Sequence, residues 1–219
     1  MKIITPTFII ESSINGDEIL KHIEKTGRTA YKSEDKITKD SSSIFVEMIM
    51  KSEHLSVIEH SFITVRIICD RGISHEIVRH RLASYTQEST RYCNYTKGKF
   101  GREITVIKPC FWDETSEEYK IWTETIKYIE NSYNKLISLG AKPQEARSIL
   151  PNSLKTEIVI TMNLREWIHF FKLRTAKTAH PQMREIAIPL LMEFQKRLPI
   201  IFDRVTTDYQ KTSVLYPQM

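Results

Sequence analysis

The chain has 219 residues, which is enough for a well-buried core and is most simply interpreted as a single domain over residues 1–219. Hydrophobic residues at 41% and charged residues at 27% are ordinary for a soluble globular protein, and no segment has the roughly 20 apolar residues that a membrane-spanning helix needs. The net charge of +5 predicts attraction to anions such as nucleic acids, nucleotides, phosphorylated cofactors or an acidic membrane surface.

The cysteines and the amino terminus indicate the compartment. Cys69, Cys93 and Cys110 are odd in number, and no two are spaced as a zinc clamp or a redox pair, which predicts a reducing environment. The first ten residues, MKIITPTFII, form a short apolar run that Thr and Pro interrupt, without a following cleavage site. We therefore expect a cytoplasmic protein without a signal peptide.

The amino-terminal third predicts two strands and two helices. An apolar strand over Lys2–Ile10 precedes a short helix from about Asp17 to Lys25, which we expect to stop near Gly27. After a polar loop, a second helix is predicted to bury one stripe of apolar side chains, and a β-branched strand over Phe62–Cys69 follows. The predicted stripe consists of Ile44, Phe45, Met48 and Ile49.

A third helix is expected from Ser74, as N-cap, to about Arg81. On such a helix Glu76 and Arg79 share a face, whereas Arg79 and Arg81 point to different sides. The two arginines are therefore expected to serve different ligands, or different parts of one ligand.

The second half of the chain predicts the longest helix, at about Ser116–Leu139, between a strand at Glu103–Ile107 and a short helix that Pro151 ends. A strand over Thr156–Met162 then leads into a helix that Asn163 caps and that extends to Arg174. A last long helix begins at Pro181. Because the strands do not alternate regularly with helices, we predict an α+β fold rather than a doubly wound sheet.

The segment from Arg79 to Tyr92, RHRLASYTQESTRY, has the side chains of an anion site. Three Arg and one His are interleaved with hydroxyl and amide side chains, and the planar guanidinium group matches phosphate or carboxylate bidentately. For any one of these residues, a solvated loop with incidental charge is the simpler interpretation. The whole run favours a binding function.

Arg79, His80 and Arg81, followed by seven residues and Ser89, resemble the signature of the flavin-dependent thymidylate synthases. The segments around His54–His60, Arg147–Pro151 and Asn163–Arg174 resemble that family in order and approximate spacing, so the resemblance covers roughly residues 20–190. It implies a homotetramer of α+β subunits, with a mixed or antiparallel sheet flanked by helices and active sites between subunits.

The resemblance also implies the reaction. Deoxyuridine monophosphate (dUMP) is methylated at C5, with 5,10-methylenetetrahydrofolate as the carbon donor and with hydride from NADPH by way of FAD, and folate leaves as tetrahydrofolate. The dUMP, the folate and other copies of the chain are then the partners, and neither nucleic acid nor a membrane is one.

The same resemblance implies the binding residues. His54 lies near the flavin ring and the folate. The residues implied at the flavin are Ser56, Arg79, His80, Arg81, Gln87, Asn163, Leu164, Arg165 and His169. The residues implied at the nucleotide are Glu76, Ile77, Val78, Arg79, Gln87, Glu88, Ser89, Thr90, Arg91, Arg147 and Arg174.

Arg174 is the implied catalytic residue, because an Arg beside the pyrimidine stabilises negative charge that develops on the uracil. On a regular helix Arg165 and His169 stack on one face, whereas Arg174 falls on the far side with Trp167 and Phe171. One helix is thus predicted to contact two ligands.

Other chemistries are less well supported. Ser89 has no nucleophile-elbow sequence around it and is assigned to phosphate binding. His54 and His60 lack the spacing of a zinc motif, so no metal is expected. With only 6 Gly, the chain has neither a Rossmann nor a Walker fingerprint, and side chains must bind the phosphates.

Two positions depart from the family pattern, in which Asn is common at position 86 and Glu at position 87. Thr86 and Gln87 occupy them here. The exchange at position 87 removes a carboxylate that could act as a base but keeps hydrogen bonding.

Two alternatives stay open. A nucleic-acid-binding module is suggested by Tyr85, Tyr92 and Tyr95 interleaved with basic residues, although these residues form no single stripe and no nucleic-acid module signature is present. The other alternative is a flavoprotein of the same fold that lacks synthase activity. The presence of Ser89 and Arg174 argues against it.

Overall fold

The computed structural model describes residues 1–96, 98 and 103–207. Among these residues the strands are β1 (Lys2–Ile4), β2 (Thr7–Ile10), β3 (Phe62–Asp70), β4 (Ala83–Gln87), β5 (Thr105–Ile107) and β6 (Lys155–Asn163). The α-helices are α1 (Gly16–Arg28), α2 (Ser41–Lys51), α3 (Arg71–Ile77), α4 (Glu117–Ser138), α5 (Pro143–Ala146), α6 (Leu164–Arg174), α7 (Pro181–Arg197) and α8 (Pro199–Phe202). The chain is α+β, as predicted.

The strands form two sheets. β1 pairs in parallel with β5, and the larger sheet has the order β2-β3-β6-β4. Thr64 Oγ1 lies 2.9 Å from Thr161 Oγ1, and Arg66 Nη1 lies 3.3 Å from Glu157 Oε2. Residue numbers thus rise along β3 as they fall along β6, so these strands are antiparallel. The predicted Lys2–Ile10 strand is two strands in different sheets, separated around Pro6, which cannot donate a ladder hydrogen bond.

The chain folds into two compact units. Unit 1 contains residues 1–8, 66–79 and 85–159, and unit 2 contains residues 9–65, 80–84 and 160 onward. The segments that resemble the flavin-dependent thymidylate synthases are therefore divided between the units.

The core of unit 2 is aromatic. Trp167 and Phe171 of α6 pack against Phe194 of α7 and Phe202 of α8, with ring centroids 5.1–5.9 Å apart. Trp167 is fully buried, and its Nε1 donates a 3.1 Å hydrogen bond to the carbonyl of Ile63. This packing fixes α6, which carries several of the predicted site residues.

One expectation for unit 2 is wrong and another is confirmed. Ile44 and Met48 are 74% and 50% exposed, because α2 buries the face that contains Val46, Ile49 and Met50 instead. The first helix stops near Gly27 as expected, since α1 ends at Arg28, and Gly27 itself is buried. A Cβ there would approach the Phe45 ring to 2.7 Å, so glycine permits close packing.

The core of unit 1 surrounds α4. Ile126 and Tyr133 are buried against Ile104, Val106 and Leu154, while four further apolar side chains of the helix are half-buried there. Ser116 caps the helix by accepting a hydrogen bond from the amide of Tyr119, and Gly140 follows it with φ of +96°. The predicted helix and its stop are confirmed. Among the described residues, no helix is both long and apolar enough to span a membrane.

Candidate active site

The signature segment leaves its helix earlier than the sequence predicts. Asp70 caps α3 by accepting a 2.7 Å hydrogen bond from the amide of Ile73, and the helix ends at Ile77. Arg79 and Arg81 therefore lie beyond it, and the expectation that they project from opposite sides of one helix is wrong. The hydroxyl of Tyr85, in the same segment, donates a 2.9 Å hydrogen bond to the carbonyl of Ile77 and so joins β4 to the end of the helix.

In unit 1, two arginines that are distant in sequence converge on the same loop. Arg147 Nη1 lies 3.4 Å from Thr90 Oγ1, and Arg91 Nε donates to Gln144 Oε1 at 3.3 Å. Ser89 Oγ accepts a 3.3 Å hydrogen bond from the amide of Arg91. Arg91 and Arg147 are both exposed, so this group, the phosphate loop (Ser89–Arg91 with Arg147), presents two guanidinium groups to solvent, whereas Ser89 is half-buried and Thr90 is buried.

Gln87 and Glu88 directly precede the phosphate loop. Their side chains form hydrogen bonds with other segments of unit 1. Gln87 Nε2 donates to Ser74 Oγ at 2.8 Å and to Thr156 Oγ1 at 3.2 Å. Glu88 accepts from Tyr95 at 3.1 Å and from Lys155 Nζ at 2.9 Å. At position 87 the amide donates both bonds, so the exchange of Glu for Gln changes an acceptor into a donor.

A cavity of about 750 Å³ lies beside these residues in unit 1. Its charged lining residues are Lys2, Arg66, Glu88, Glu103, Lys155 and Glu157. Three cations balance three carboxylates, so the cavity itself does not attract anions. The phosphate loop is the better candidate for an anion.

Lys155 connects the carboxylates of this cavity. Burial opposes its charge, but the hydrogen bonds that it donates to Glu157 and Glu88 raise its pKa. The 2.6 Å bond from Lys155 lowers the pKa of Glu157, while burial opposes that shift. Both groups are therefore charged at neutral pH.

This network predicts a loss of stability in acid. Because Glu157 has a lowered pKa in the folded protein, its contribution is present above the ordinary value of 4.5 and disappears as pH falls through the lowered value. Replacing Glu157 by Gln is expected to flatten the acid side of a plot of Tm against pH. Glu117→Gln is the control because that carboxylate is exposed on α4, and equal acid sensitivity in both variants would contradict the prediction.

In unit 2, the start of α6 carries three of the predicted flavin residues. Asn163 caps the helix by accepting from the amide of Glu166 at 2.8 Å, as predicted. Leu164 is buried, and its amide donates to the carbonyl of Ser61. Arg165 is exposed and pairs with Glu59 at 2.6 Å.

That ion pair joins α6 to the 3₁₀ turn Leu55–His60, on which Ser56 is exposed. The expected division of α6 is confirmed for two pairs of residues but not for Arg174, which contacts His80, a ring that also packs against His169. Arg165 and His169 are exposed, whereas Trp167 and Phe171 are buried.

Arg174 and His80 are in direct contact in unit 2. Arg174 Nε donates to His80 Nε2 at 3.0 Å, and His80 Nδ1 lies 2.9 Å from Glu166 Oε1. His80 and Glu166 are only 4% and 7% exposed. Burial lowers the pKa of His80, and the charge of Arg174 acts in the same direction, whereas the bond to Glu166 opposes it.

His80, Glu166 and His169 have the composition of a possible metal site, since one ligand atom from each lies within 4.8 Å of the others. The cationic Arg174 contacts one ring nitrogen of His80, and the other ring nitrogen faces Glu166. Both nitrogens thus have partners already, and a nearby guanidinium repels a metal ion. This arrangement favours an internal hydrogen-bonded chain over metal binding.

The remaining predicted residues lie at the end of α3 and in the segment that follows it. Ile77 is fully buried, and its carbonyl accepts from Tyr85, so its side chain belongs to the core. Glu76 is half-buried in α3, and Val78, Arg79 and Arg81 are exposed after it. Arg79 belongs to unit 1 and Arg81 to unit 2.

Sequence reasoning missed Glu166 and Lys155. Glu166 occupies the first turn of α6, where an acidic residue is common for its interaction with the helix dipole. Its burial is the unusual property, and a sequence shows no burial for an isolated Glu. Lys155 and Glu157 are two apart on β6 and share a face, which is a local signal. The other partner of Lys155, Glu88, lies 67 residues away and is not visible from local sequence.

Comparisons with known proteins agree with these features. The family model described as thymidylate synthase complementing protein matches residues 13–200. A flavin-dependent thymidylate synthase of Geobacter sulfurreducens is 34% identical over 169 residues, which cover 77% of this chain and 71% of that protein. One of Pyrococcus horikoshii is 41% identical over 164 residues, covering 74% of this chain and 67% of that protein.

A solved structure shares the fold. The UMP/dUMP methylase PolB of Streptomyces cacaoi, bound to 5-Br dUMP, superposes with a TM-score of 0.75 over 99% of this chain and 100% of that one. The sequence identity is 22%, so this similarity concerns the fold alone.

Proposed function

The chain belongs to the thymidylate synthase complementing protein family, and from this we propose that it is a flavin-dependent thymidylate synthase that methylates dUMP at C5 to give dTMP. The carbon comes from 5,10-methylenetetrahydrofolate, NADPH supplies the hydride through FAD, and tetrahydrofolate is released. We propose that residues 1–219 act as one domain in the cytoplasm.

The contact of Arg147 with Thr90, in the loop that also carries Ser89 and the exposed Arg91, carries this proposal. A nucleoside monophosphate has a phosphate dianion, which two exposed guanidinium groups bind through charge-assisted hydrogen bonds. The loop continues from β4, whose Gln87 is fixed by Ser74 and Thr156. The loop is thus anchored on regular structure, and rigid placement of a phosphate fixes where the uracil ring lies.

The exposed donors of unit 2 fit a flavin dinucleotide. Ser56, Arg81, Arg165 and His169 offer hydroxyl, guanidinium and imidazole groups at the surface, which suits a pyrophosphate in a chain that has no glycine-rich loop. These residues would hold FAD together with Asn163 and Leu164 of the same unit. When bound, FAD transfers the reducing hydride between NADPH and the one-carbon unit.

Arg174 supplies the electrostatic part of the chemistry. Its guanidinium would lie beside the pyrimidine and stabilise negative charge on the uracil, which makes C5 a better nucleophile without a covalent adduct to the enzyme. The half-buried position of Arg174 reduces screening by water, so its charge acts more strongly than on an exposed side chain.

The enzyme is proposed to be a homotetramer whose subunits share active sites. Large apolar side chains are exposed in pairs on single helix faces, namely Ile44 and Met48 on α2 and Ile121 and Tyr128 on α4. Such paired exposure is typical of surfaces that contact another chain. Light scattering should give a mass about four times that of the 25.7 kDa chain.

Two assays test the function. Purified protein should be yellow, with flavin absorbance near about 450 nm that NADPH bleaches, whereas a nucleic-acid-binding module would be colourless. Tritium release from C5-labelled dUMP in the presence of 5,10-methylenetetrahydrofolate separates a synthase from an inactive flavoprotein. A yellow protein that releases no tritium would contradict the proposal.

Removing one guanidinium from the phosphate loop is expected to weaken dUMP binding selectively. Arg147→Gln should raise the KM for dUMP about 10- to 100-fold, because one charge-assisted hydrogen bond is lost, and kcat should be nearly unchanged. Arg197→Gln is the control, because Arg197 is an exposed partner of Glu193 on α7. With deoxyuridine, which lacks the phosphate, variant and wild type should react equally slowly, and a difference between them would contradict the assignment.

A further inference from the structure

The environment of Arg174 contains a buried pair that the flavin and nucleotide assignments do not explain. His80 lies between Arg174 and Glu166 and packs at a tilt against the Phe170 ring, with centroids 5.0 Å apart. Glu166 is about two helical turns before Arg174 on α6, whereas His80 lies 86 residues before Glu166 in the chain. A carboxylate buried to this degree needs a specific partner.

The hydrogen bonds fix the protonation of His80. A guanidinium only donates, so the Nε2 atom that receives the Arg174 Nε–H must be unprotonated. The proton of the neutral ring is then on Nδ1, where it is donated to Glu166 Oε1. Burial lowers the pKa of His80, which favours the same neutral form.

We propose that Glu166 and His80 are positioning residues for Arg174: Glu166 selects the Nδ1–H tautomer of His80, whose Nε2 then holds the guanidinium at Nε. This inference rests on the proposed catalytic role of Arg174. Holding Nε orients the flat guanidinium plane. In this role His80 acts through Arg174.

A purely structural role for Glu166 predicts different behaviour. As an acidic residue in the first turn of α6, Glu166 also interacts with the helix dipole. If this were its only role, replacing Glu166 would lower Tm without changing kcat. A positioning role lowers kcat in protein that retains its fold and flavin.

The first test compares Glu166→Gln with the control Glu193→Gln, an exposed carboxylate on α7. The amide at position 166 can donate to Nδ1, which places the proton of His80 on Nε2 facing Arg174. We expect kcat to fall about 10- to 100-fold, with flavin content, KM for dUMP and Tm close to those of the control. A kcat equal to that of the control overturns the proposal.

Substitution of His80 provides a second test that does not depend on Glu166. His80→Gln retains an acceptor oxygen near the position of Nε2, whereas His80→Phe retains only the packing against Phe170. His80→Gln should therefore keep at least about ten times the kcat of His80→Phe. Equal kcat values in flavin-loaded protein overturn the proposal, even where Glu166→Gln does not fold.

The pH dependence of kcat adds a readout that packing alone does not move. Protonation of His80 adds a hydrogen at Nε2 toward Arg174, so wild-type kcat should fall as pH falls through the pKa of His80. The charged groups around the ring are Glu166, His169 and Arg174. Glu166→Gln removes the anion that favours the imidazolium, so the fall of kcat in acid should move to lower pH. His80→Gln has no imidazole to protonate, so this fall should disappear. If the fall of kcat in acid is unchanged in both variants, the proposal is overturned.

A spectroscopic test is independent of turnover. In ¹⁵N-histidine-labelled wild-type protein at neutral pH, His80 should show a protonated Nδ1 and a bare Nε2, and the reverse tautomer overturns the inference. If wild-type protein releases no tritium from dUMP, the proposed function fails while this spectrum still decides the arrangement. If Arg174→Ala remains active, the catalytic assignment fails and the positioning role fails with it.

Discussion

Replacing Arg174 by Ala is expected to lower kcat about 100- to 1,000-fold, the usual cost of losing one preorganised group that stabilises developing negative charge. The flavin should remain bound, because Arg165 and His169, which we propose to bind it, are exposed on α6 whereas Arg174 is half-buried. Tritium release from C5-labelled dUMP measures the first effect, and the visible absorbance of the purified protein measures the second.

Lys172→Ala is the matched control, since Lys172 is an exposed cation in the same last turn of α6. It should retain wild-type kcat and flavin content. If Arg174→Ala loses flavin together with turnover, the division of α6 into a flavin face and a substrate face is wrong. If Arg174→Ala retains turnover, the charge on the uracil is stabilised by another group.

Trp167→Ala is expected to destabilise the protein by about 3–5 kcal/mol, the usual cost of removing a fully buried aromatic side chain. Trp167 stacks on Phe171 with centroids 5.6 Å apart and contacts Phe194 at 5.1 Å. The substitution opens a cavity among these rings and leaves the carbonyl of Ile63 without the indole donor. The urea midpoint of unfolding, followed by far-UV circular dichroism, measures the loss.

Leu173→Ala on the same helix is the control, because Leu173 is 50% exposed and its truncation leaves little cavity. Trp167→Phe should lie between the two, since the ring is largely replaced but the indole hydrogen bond is lost. A urea midpoint for Trp167→Ala equal to that of Leu173→Ala would show that the aromatic cluster contributes little to the stability of unit 2.

Features that depend on neighbouring residues were predicted correctly. The cap at Asn163, the strand before it and the long helix with its stop at Gly140 all follow from side chains within one or two turns. The pairs Arg165–His169 and Trp167–Phe171 also separate as helical spacing predicts. Local sequence is sufficient where the determining contacts are local.

The failures have a different origin. Residues 83–87 form β4, although a solvated loop was the simpler interpretation of their polar side chains. Immediately after β4, the amide of Glu88 donates a hydrogen bond to the carbonyl of Glu157 in β6. The helix expected to reach Arg81 ends at Ile77, and His80 then reaches Glu166 in the core of unit 2. In both places a distant strand or side chain determines the backbone, which overrides the local preference.

The sequence by itself determined the family, the α+β class and the helix cap at Asn163, because these depend on residue type and short spacing. Only the tertiary structure decided which arginines converge and what each one contacts: Arg147 reaches Thr90 across 57 residues, and Arg174 reaches His80 across 94. Burial of Glu166 beside His80 also appeared only in the structure. The electrostatic environment of a charged group depends on neighbours from the whole chain, so residue spacing within one segment does not predict it.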